Sequence, residues 1–527
     1  MLDSETKYQI PKKFLWLSIA YLFFSLISLI YSKQIGVSIE LFLRDVSLFL
    51  VAIYVFAHKD DIRQTLPRAI VLLSLTFLGA SLICFLTPYG REFIRGVRLN
   101  LLFNPAYPHK TIGDYITFGI IIASYFFFIE KRQQWKYPLL FLFPIFLLSF
   151  SRTAFITLGF VTLIMLWFNR SQLKKYPPLL LISLTGNFFL LIIVFTAMTT
   201  QTGNTFIHYL QTNLQEIFFM FPRPFDLSRI PFWKIGLEGL AAFPFTGVGQ
   251  GGFQFLSYRY MSELFLSSFT SFNLLIDLAS EQGLLVATSF ALLVIYILTS
   301  AQKKTVFYFL FMGMIVSFMG FSAYVYTQIW LLFFICIGLN LHAEKRDCYE
   351  VDKHILYVPA LTGIVYMQIL VAHSVLIQND MPDVAHAIYP FNESTLRRLI
   401  TITMLTKHNE QKVAVYLAQY ERITGLDANS LEYIGDQYLL LGKNYQKDAL
   451  RVYEQSFIWG KYAYGGALIP RMAKLYTLKK KVEGKKAART YVESFLDGYY
   501  SLLKKDNKEI QGALYDRLMY IYRNDYK

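Results

Sequence analysis

Apolar residues run along the first two thirds of this chain in long blocks, separated by short polar stretches. The blocks cover 14–32, 35–57, 69–88, 112–130, 137–150, 153–168, 178–198, 271–300, 306–323, 325–341 and 355–377. A helix rises 1.5 Å per residue, so about 20 apolar residues cross about 30 Å of hydrocarbon. The pattern therefore predicts an all-α polytopic membrane protein of about 11 to 12 spans, with a large loop over 199–270. The fifth and sixth blocks are short and joined only by Ser151-Arg152, which also fits a tilted hairpin or a re-entrant segment. Beyond residue 377 the pattern changes. Apolar residues recur among charged ones at helical spacing, in Val413, Val415, Tyr416, Leu417 and Tyr420 and again in Leu431, Ile434, Tyr438, Leu439 and Leu441. The expected organisation is a transmembrane domain over 1–377 and a helical-hairpin domain over 378–527.

Composition agrees with the pattern. Mean hydropathy is +0.39, with 55% hydrophobic and only 17% charged residues, too apolar for an ordinary soluble chain. The net charge of +15 would fit nucleic acid, but up to residue 376 most Lys and Arg fall in short loops between blocks, where topology accounts for them; no nucleic-acid partner is expected. One alternate set of loops is uniformly basic: Lys12-Lys13, 59–68, Lys131-Arg132 with Lys136, Arg170 with Lys174-Lys175, Lys303-Lys304, and Lys345-Arg346 with Lys353. The positive-inside rule puts these loops and the N-terminus in the cytoplasm, and the large loop and the C-terminal domain outside. No cleavage site follows the first block, which is read as a retained span. Cys84, Cys336 and Cys348 have no metal-ligand spacing.

Two external loops break the charge rule. One carries Arg91, Arg95 and Arg98, close to Asn104-Pro-Ala-Tyr-Pro-His109; the other carries Arg223, Arg229, Lys234 and Arg259. Guanidinium groups pair bidentately with phosphate oxygens, and they also pair with headgroups or with neighbouring acids such as Glu92, Asp226 and Glu238. The large loop also holds Gly247-Val-Gly249-Gln-Gly251-Gly252. No strand precedes these glycines, which excludes a dinucleotide loop; they suit a sharp turn or a close backbone approach.

Taken in order, Ser151-Arg152-Thr153-Ala154, Arg229 with Trp233, Pro244 to Phe253, and Asn273 with Glu281 and Gly283 resemble the O-antigen ligase and polymerase family of bacterial membrane glycosyltransferases, over roughly residues 10 to 345. The segment Ile434-Gly435, Tyr438, Gly442, Tyr445, Ala449 and Tyr453 resembles a tetratricopeptide repeat, with Ala449 about two residues late; a weaker unit covers 472–495. Such a domain would bind protein partners or brace a complex.

The family resemblance implies glycan transfer at the outer face of the cytoplasmic membrane, without metal, nucleotide or other cofactor. The donor would be a glycan on a polyprenyl diphosphate and the acceptor a hydroxyl of a second glycan, within membrane lipid. Arg152 and Arg229 would stabilise charge on the departing diphosphate. Glu281 matches an acidic family position and is the candidate for handling the acceptor proton. Arg91, Arg95, Arg98, Trp233, Gly247, Gly249, Gly251 and Asn273 would border the substrates. The family usually has His before the Asn that is Asn273 here. This chain has Phe272, which leaves His208, His109, Glu263, Asp277 and Glu281 as candidate bases and favours polymerase over ligase. The rival readings are a flippase for lipid-linked glycans and a membrane-anchored interaction scaffold. The former predicts internal repeats and broken midplane helices, and the latter predicts that residues beyond 377 carry the function.

Overall fold

The computed structural model of the protein describes residues 7–32, 34–86, 109–148, 152–169, 229–260, 268–320, 327–406, 409–460 and 468–506. It is nearly all helical. Strand β1 (Lys7–Pro11) leads into α1 (Lys12–Tyr31), α2 (Ile35–Ala57), α3 (Lys59–Leu86), α4 (His109–Ser124), α5 (Lys136–Leu148) and α6 (Arg152–Phe168). After the described part resumes come α7 (Ile230–Ala242), α8 (Phe253–Tyr260), α9 (Leu274–Gln282), α10 (Leu284–Ser300), α11 (Val306–Gly320) and α12 (Thr327–Asn340). Strand β2 (Cys348–Asp352) pairs with β1, a two-stranded sheet that the apolar pattern does not predict. Then follow α13 (Lys353–Gln378), α14 (Pro382–Ile388), α15 (Glu393–Thr406), α16 (Glu410–Thr424), α17 (Ala428–Leu440), α18 (Gln446–Gly460), α19 (Leu468–Glu483) and α20 (Lys485–Asp506).

The apolar blocks become helices, with one difference. The block 271–300 is two helices, α9 and α10, broken at Gly283, whose φ of +93° no continuous helix accommodates. The block 178–198 lies outside the described residues. By length and apolar composition, two described helices suffice to cross a membrane: α1, and residues Tyr357–Gln378 of α13. Helix α2 has 23 residues but carries Glu40, Arg44 and Asp45. Helices α11 and α12, of 15 and 14 residues, reach only about 21 to 22 Å.

Two compact units divide the chain. The first comprises Met1–Leu15, Leu48–Leu227 and Leu293–Val351. Its α11 and α12 are apolar on all sides and correspondingly buried: Trp330 lies parallel to Phe333 at 5.3 Å, and Phe311 stacks on the same ring at 5.1 Å. Ser74 of α3 donates to the Tyr115 carbonyl of α4 at 2.9 Å, and Arg63 donates to the Leu339 carbonyl at 2.9 Å, a cation at the C-terminal end of α12.

The second unit comprises Trp16–Ser47, Ser228–Leu292 and Asp352–Lys527. One apolar core runs through it. Ile235, Val248, Phe253 and Leu256 from the segment around α7 and α8 are buried in the same cluster as Leu399, Leu417, Leu431, Tyr453, Phe457 and Leu475 of the C-terminal helices. Arg259 of α8 lies 4.7 Å over the ring of Trp459 on α18. Helices α17 and α18 pack as a hairpin whose close approach depends on Gly435: a Cβ there would come within 3.0 Å of the Tyr453 ring. Along α13, Val358, Leu361, Ile364 and Val371 are 56–62% exposed.

Candidate functional site

The glycine segment between α7 and α8 is a tight turn locked against the end of α9. Val248 and Gly249 donate backbone hydrogen bonds to the carbonyls of Ser280 and Glu281 at 3.2 and 2.8 Å, and Leu284 donates to the Pro244 carbonyl at 2.8 Å. The approach is so close that a Cβ on Gly247 would stand 2.2 Å from the Glu281 carbonyl carbon, and one on Gly283 would stand 2.2 Å from the Phe245 oxygen. Both take positive φ, +62° and +93°. Gly249 and Gly251 also have positive φ and face α1 and α2: a Cβ on Gly249 would meet the Ser32 hydroxyl, and one on Gly251 would meet Val37 and Leu41.

Glu281 fastens this turn. Its side chain is fully buried; Oε2 accepts from the Gly251 amide at 3.0 Å and Oε1 from the Phe253 amide at 2.9 Å. Phe253 opens α8, so the carboxylate caps that helix where its dipole favours negative charge. With both oxygens accepting from backbone donors inside the core, Glu281 is placed to shape the turn. Asp277, one turn earlier and equally buried, accepts from the Ser271 amide at 2.6 Å. Asn273 is the N-cap of α9, its Oδ1 accepting from Leu275 and Ile276 at 3.1 and 3.3 Å.

The turn is held from α1 and α2 by a buried polar network that the hydropathy pattern hides. Asp45, 1% exposed, accepts from Tyr21 at 2.8 Å and from Gln250 at 3.1 Å through Oδ2, and from Arg44 at 3.0 and 3.2 Å through Oδ1. Ser28 donates to the Thr246 carbonyl at 2.6 Å and Ser38 to that of Gln250 at 3.2 Å. An Arg-Asp pair inside an apolar block is the signal that would have found it, because ionisable groups there are costly unless paired or functional.

Arg229 and Trp233 stand at the other end of the segment, on the first turns of α7. Arg229 is the N-cap and supplies no side-chain oxygen to the helix amides, and Pro231 occupies the first turn. Trp233 follows at i+4, on the same face. Its Nε1–H is buried and meets no acceptor among the described residues. The Arg229 guanidinium lies 5.3 Å from the ring centroid of Phe272, which meets Phe232 edge-on at 5.4 Å. A helix N-terminus, a guanidinium and a buried indole N–H thus stand within the first turns of α7.

Other expected site residues belong to the first unit or lie outside the described residues. Arg152 opens α6 in the first unit, and its side chain lies outside the described residues, as does that of His109 at the start of α4. Arg91, Arg95, Arg98, His208 and Glu263 also lie outside them. Among the described residues no group of His, Cys, Asp and Glu is arranged to hold a metal ion. Compared with known proteins, the chain matches no family model, no curated protein and no solved structure.

Proposed function

We propose that this protein is a membrane glycosyltransferase that transfers or polymerises a polyprenyl-diphosphate-linked oligosaccharide at the outer face of the cytoplasmic membrane, for cell-surface polysaccharide. The observation that carries this reading is the start of α7, where Arg229 stands beside the Phe272 ring and, at i+4, the buried indole N–H of Trp233 meets no acceptor among the described residues. An acceptor hydroxyl oxygen attacks the anomeric carbon, the bond from that carbon to the phosphate oxygen breaks, negative charge grows on the departing diphosphate, and the acceptor's proton passes to that diphosphate or to water. Donors fixed in advance at that charge stabilise the transition state more than the ground state. Arg152 is a further candidate cation on the family resemblance alone. The apolar, exposed length of α13 and the composition of α1 support a membrane setting.

The test supplies purified protein in lipid with polyprenyl-diphosphate oligosaccharide and follows elongated glycan and free polyprenyl diphosphate. Arg229→Ala and Arg152→Ala are each expected to abolish both products. Undiminished turnover in both variants sinks the proposal, and loss of cell-surface function on deletion beyond residue 377 with both arginines dispensable favours a scaffold instead.

A further inference from the structure

Helix α1 is inverted relative to the surface helix of a soluble protein. Trp16, Phe23 and Ile30 stand exposed on one face, whereas Ser18, Tyr21, Ser25, Ser28 and Ser32, at alternating steps of three and four residues, are buried on the other. Some of these hydroxyls are paired: Tyr21 donates to Asp45 at 2.8 Å, Ser28 to the Thr246 carbonyl at 2.6 Å, and Ser32 bonds to Ser38 at 2.8 Å. The Ser18 and Ser25 hydroxyls meet no partner among the described residues. A helical serine has a local acceptor within reach, the carbonyl four residues back, which Ser47, Ser74 and Ser289 take at 2.7 to 2.8 Å. Ser18 and Ser25 forgo it. Gln282, the last residue of α9, is in the same position: it is 1% exposed and beside the Tyr21 hydroxyl, yet neither its Oε1 nor its Nε2 reaches a partner in hydrogen-bond geometry among the described residues.

We infer that the inward face of α1 is an internal water-binding site, with water held by Ser18, Ser25 and the carboxamide of Gln282. Buried polar groups are hydrogen-bonded with few exceptions, and an internal water takes about two to four polar partners. The chemistry of the groups selects the ligand. A hydroxyl and a carboxamide each donate and accept. A cation would satisfy Oε1 of Gln282 and leave Nε2 unmet, and an anion would do the reverse; water serves both ends. The neighbouring carboxylate adds no demand for a cation, because Asp45 already accepts from Arg44, Tyr21 and Gln250. Burial of Ser18, Ser25 and Gln282 restricts the ligand to a molecule of water's size. The site continues the polar network that reaches the glycine turn through Ser28 and Ser38, so α1 turns its apolar side outward and its hydrated side to that turn.

The experiment is X-ray hydroxyl-radical footprinting of the full-length protein in lipid nanodiscs, with thermal unfolding read alongside. Radiolysis of a bound water labels the side chain next to it even where bulk solvent does not reach. Tyr21 is expected to label several-fold faster than Tyr420, which is as fully buried and likewise donates to a carboxylate, that of Glu393. Gln282→Met and Ser25→Ala each remove a partner of the water and should cut the Tyr21 rate towards that of Tyr420, leaving Tyr420 unchanged. Ser25→Ala, which deletes one hydroxyl, carries the test if Gln282→Met does not fold. Labelling of Tyr21 no faster than that of Tyr420 overturns the inference. Fast labelling that both substitutions leave unchanged does so too, since such water is not held by these groups. A raised melting temperature in Gln282→Met, the sign of an amide that had no partner to lose, also overturns it.

Discussion

Replacing Glu281 separates a framework carboxylate from a reacting one. In Glu281→Gln the side chain keeps its shape but only one oxygen. One of the Gly251 and Phe253 amides, which now donate at 3.0 and 2.9 Å, is left facing an NH2 donor. Leaving a buried donor without its acceptor costs about 1–3 kcal/mol, and bonds to charged acceptors lie toward the upper end. Glu281→Gln should therefore destabilise by about 2 kcal/mol, and Glu281→Ala, which strands both amides and opens a cavity, by about 4 kcal/mol or more. Thermal unfolding of the purified protein in detergent, followed in parallel by proteolysis of the segment around α8, reads both quantities. A shift of about 2–4 °C per kcal/mol is expected if the affected unit unfolds like a domain of 150–250 residues. A group used as a base would give the opposite pattern. Unchanged unfolding in Glu281→Gln with turnover abolished would refute the framework role.

Gly247→Ala should cost more than Gly442→Ala: the first forces a Cβ into the Glu281 backbone at 2.2 Å, whereas the second, at φ +107° and ψ −167°, meets nothing within 4 Å and carries only the backbone strain of a glycine-only conformation, about 1–3 kcal/mol. Equal melting temperatures for the two would contradict the interlock. Trp459→Ala removes a buried indole that seats Arg259 and should cost about 3–5 kcal/mol, with faster proteolysis at α8 as well as in the C-terminal helices; cleavage confined to the C-terminal helices would count against a shared core. His386 has its pKa lowered by burial, with Gln419 and Asp383 opposing. The unfolded chain therefore binds the extra proton first, and this group's contribution is present above its ordinary pKa of 6.5 and lost as pH falls through the lower folded value. His386→Gln should flatten the decline in stability between about pH 7 and 5, and an unchanged slope would exclude this residue as its source.

The helices were legible because each apolar block specifies its own periodicity. Block 35–57 became α2 over the same residues. The break at Gly283 was not legible, since apolar residues on both sides kept the window hydrophobic, and only the packing of Phe245 against that glycine requires the turn. Motif spacing picked out Arg229, Trp233, Asn273 and Glu281, but residue type did not separate their roles. Whether a carboxylate faces solvent or two backbone amides depends on partners 28 and 30 residues away. Asp45 was hidden for a related reason: its partner Gln250 is 205 residues distant, and hydropathy averages over both. The left-handed turn at Phe272 follows from contacts with Thr270 and Asp277 that propensity does not encode.

The charges around the glycine turn divide by sign. Its buried carboxylates, Glu281, Asp277 and Asp45, are each engaged by backbone amides or neighbouring side chains, where moving a proton would cost the fold several hydrogen bonds. Arg229 lies 5.3 Å over the aromatic face of Phe272. In the proposed transfer, taking a proton from the acceptor at one of these carboxylates would cost the fold those hydrogen bonds, so stabilisation of the departing diphosphate falls in this reading to cations and helix amides and not to the carboxylates.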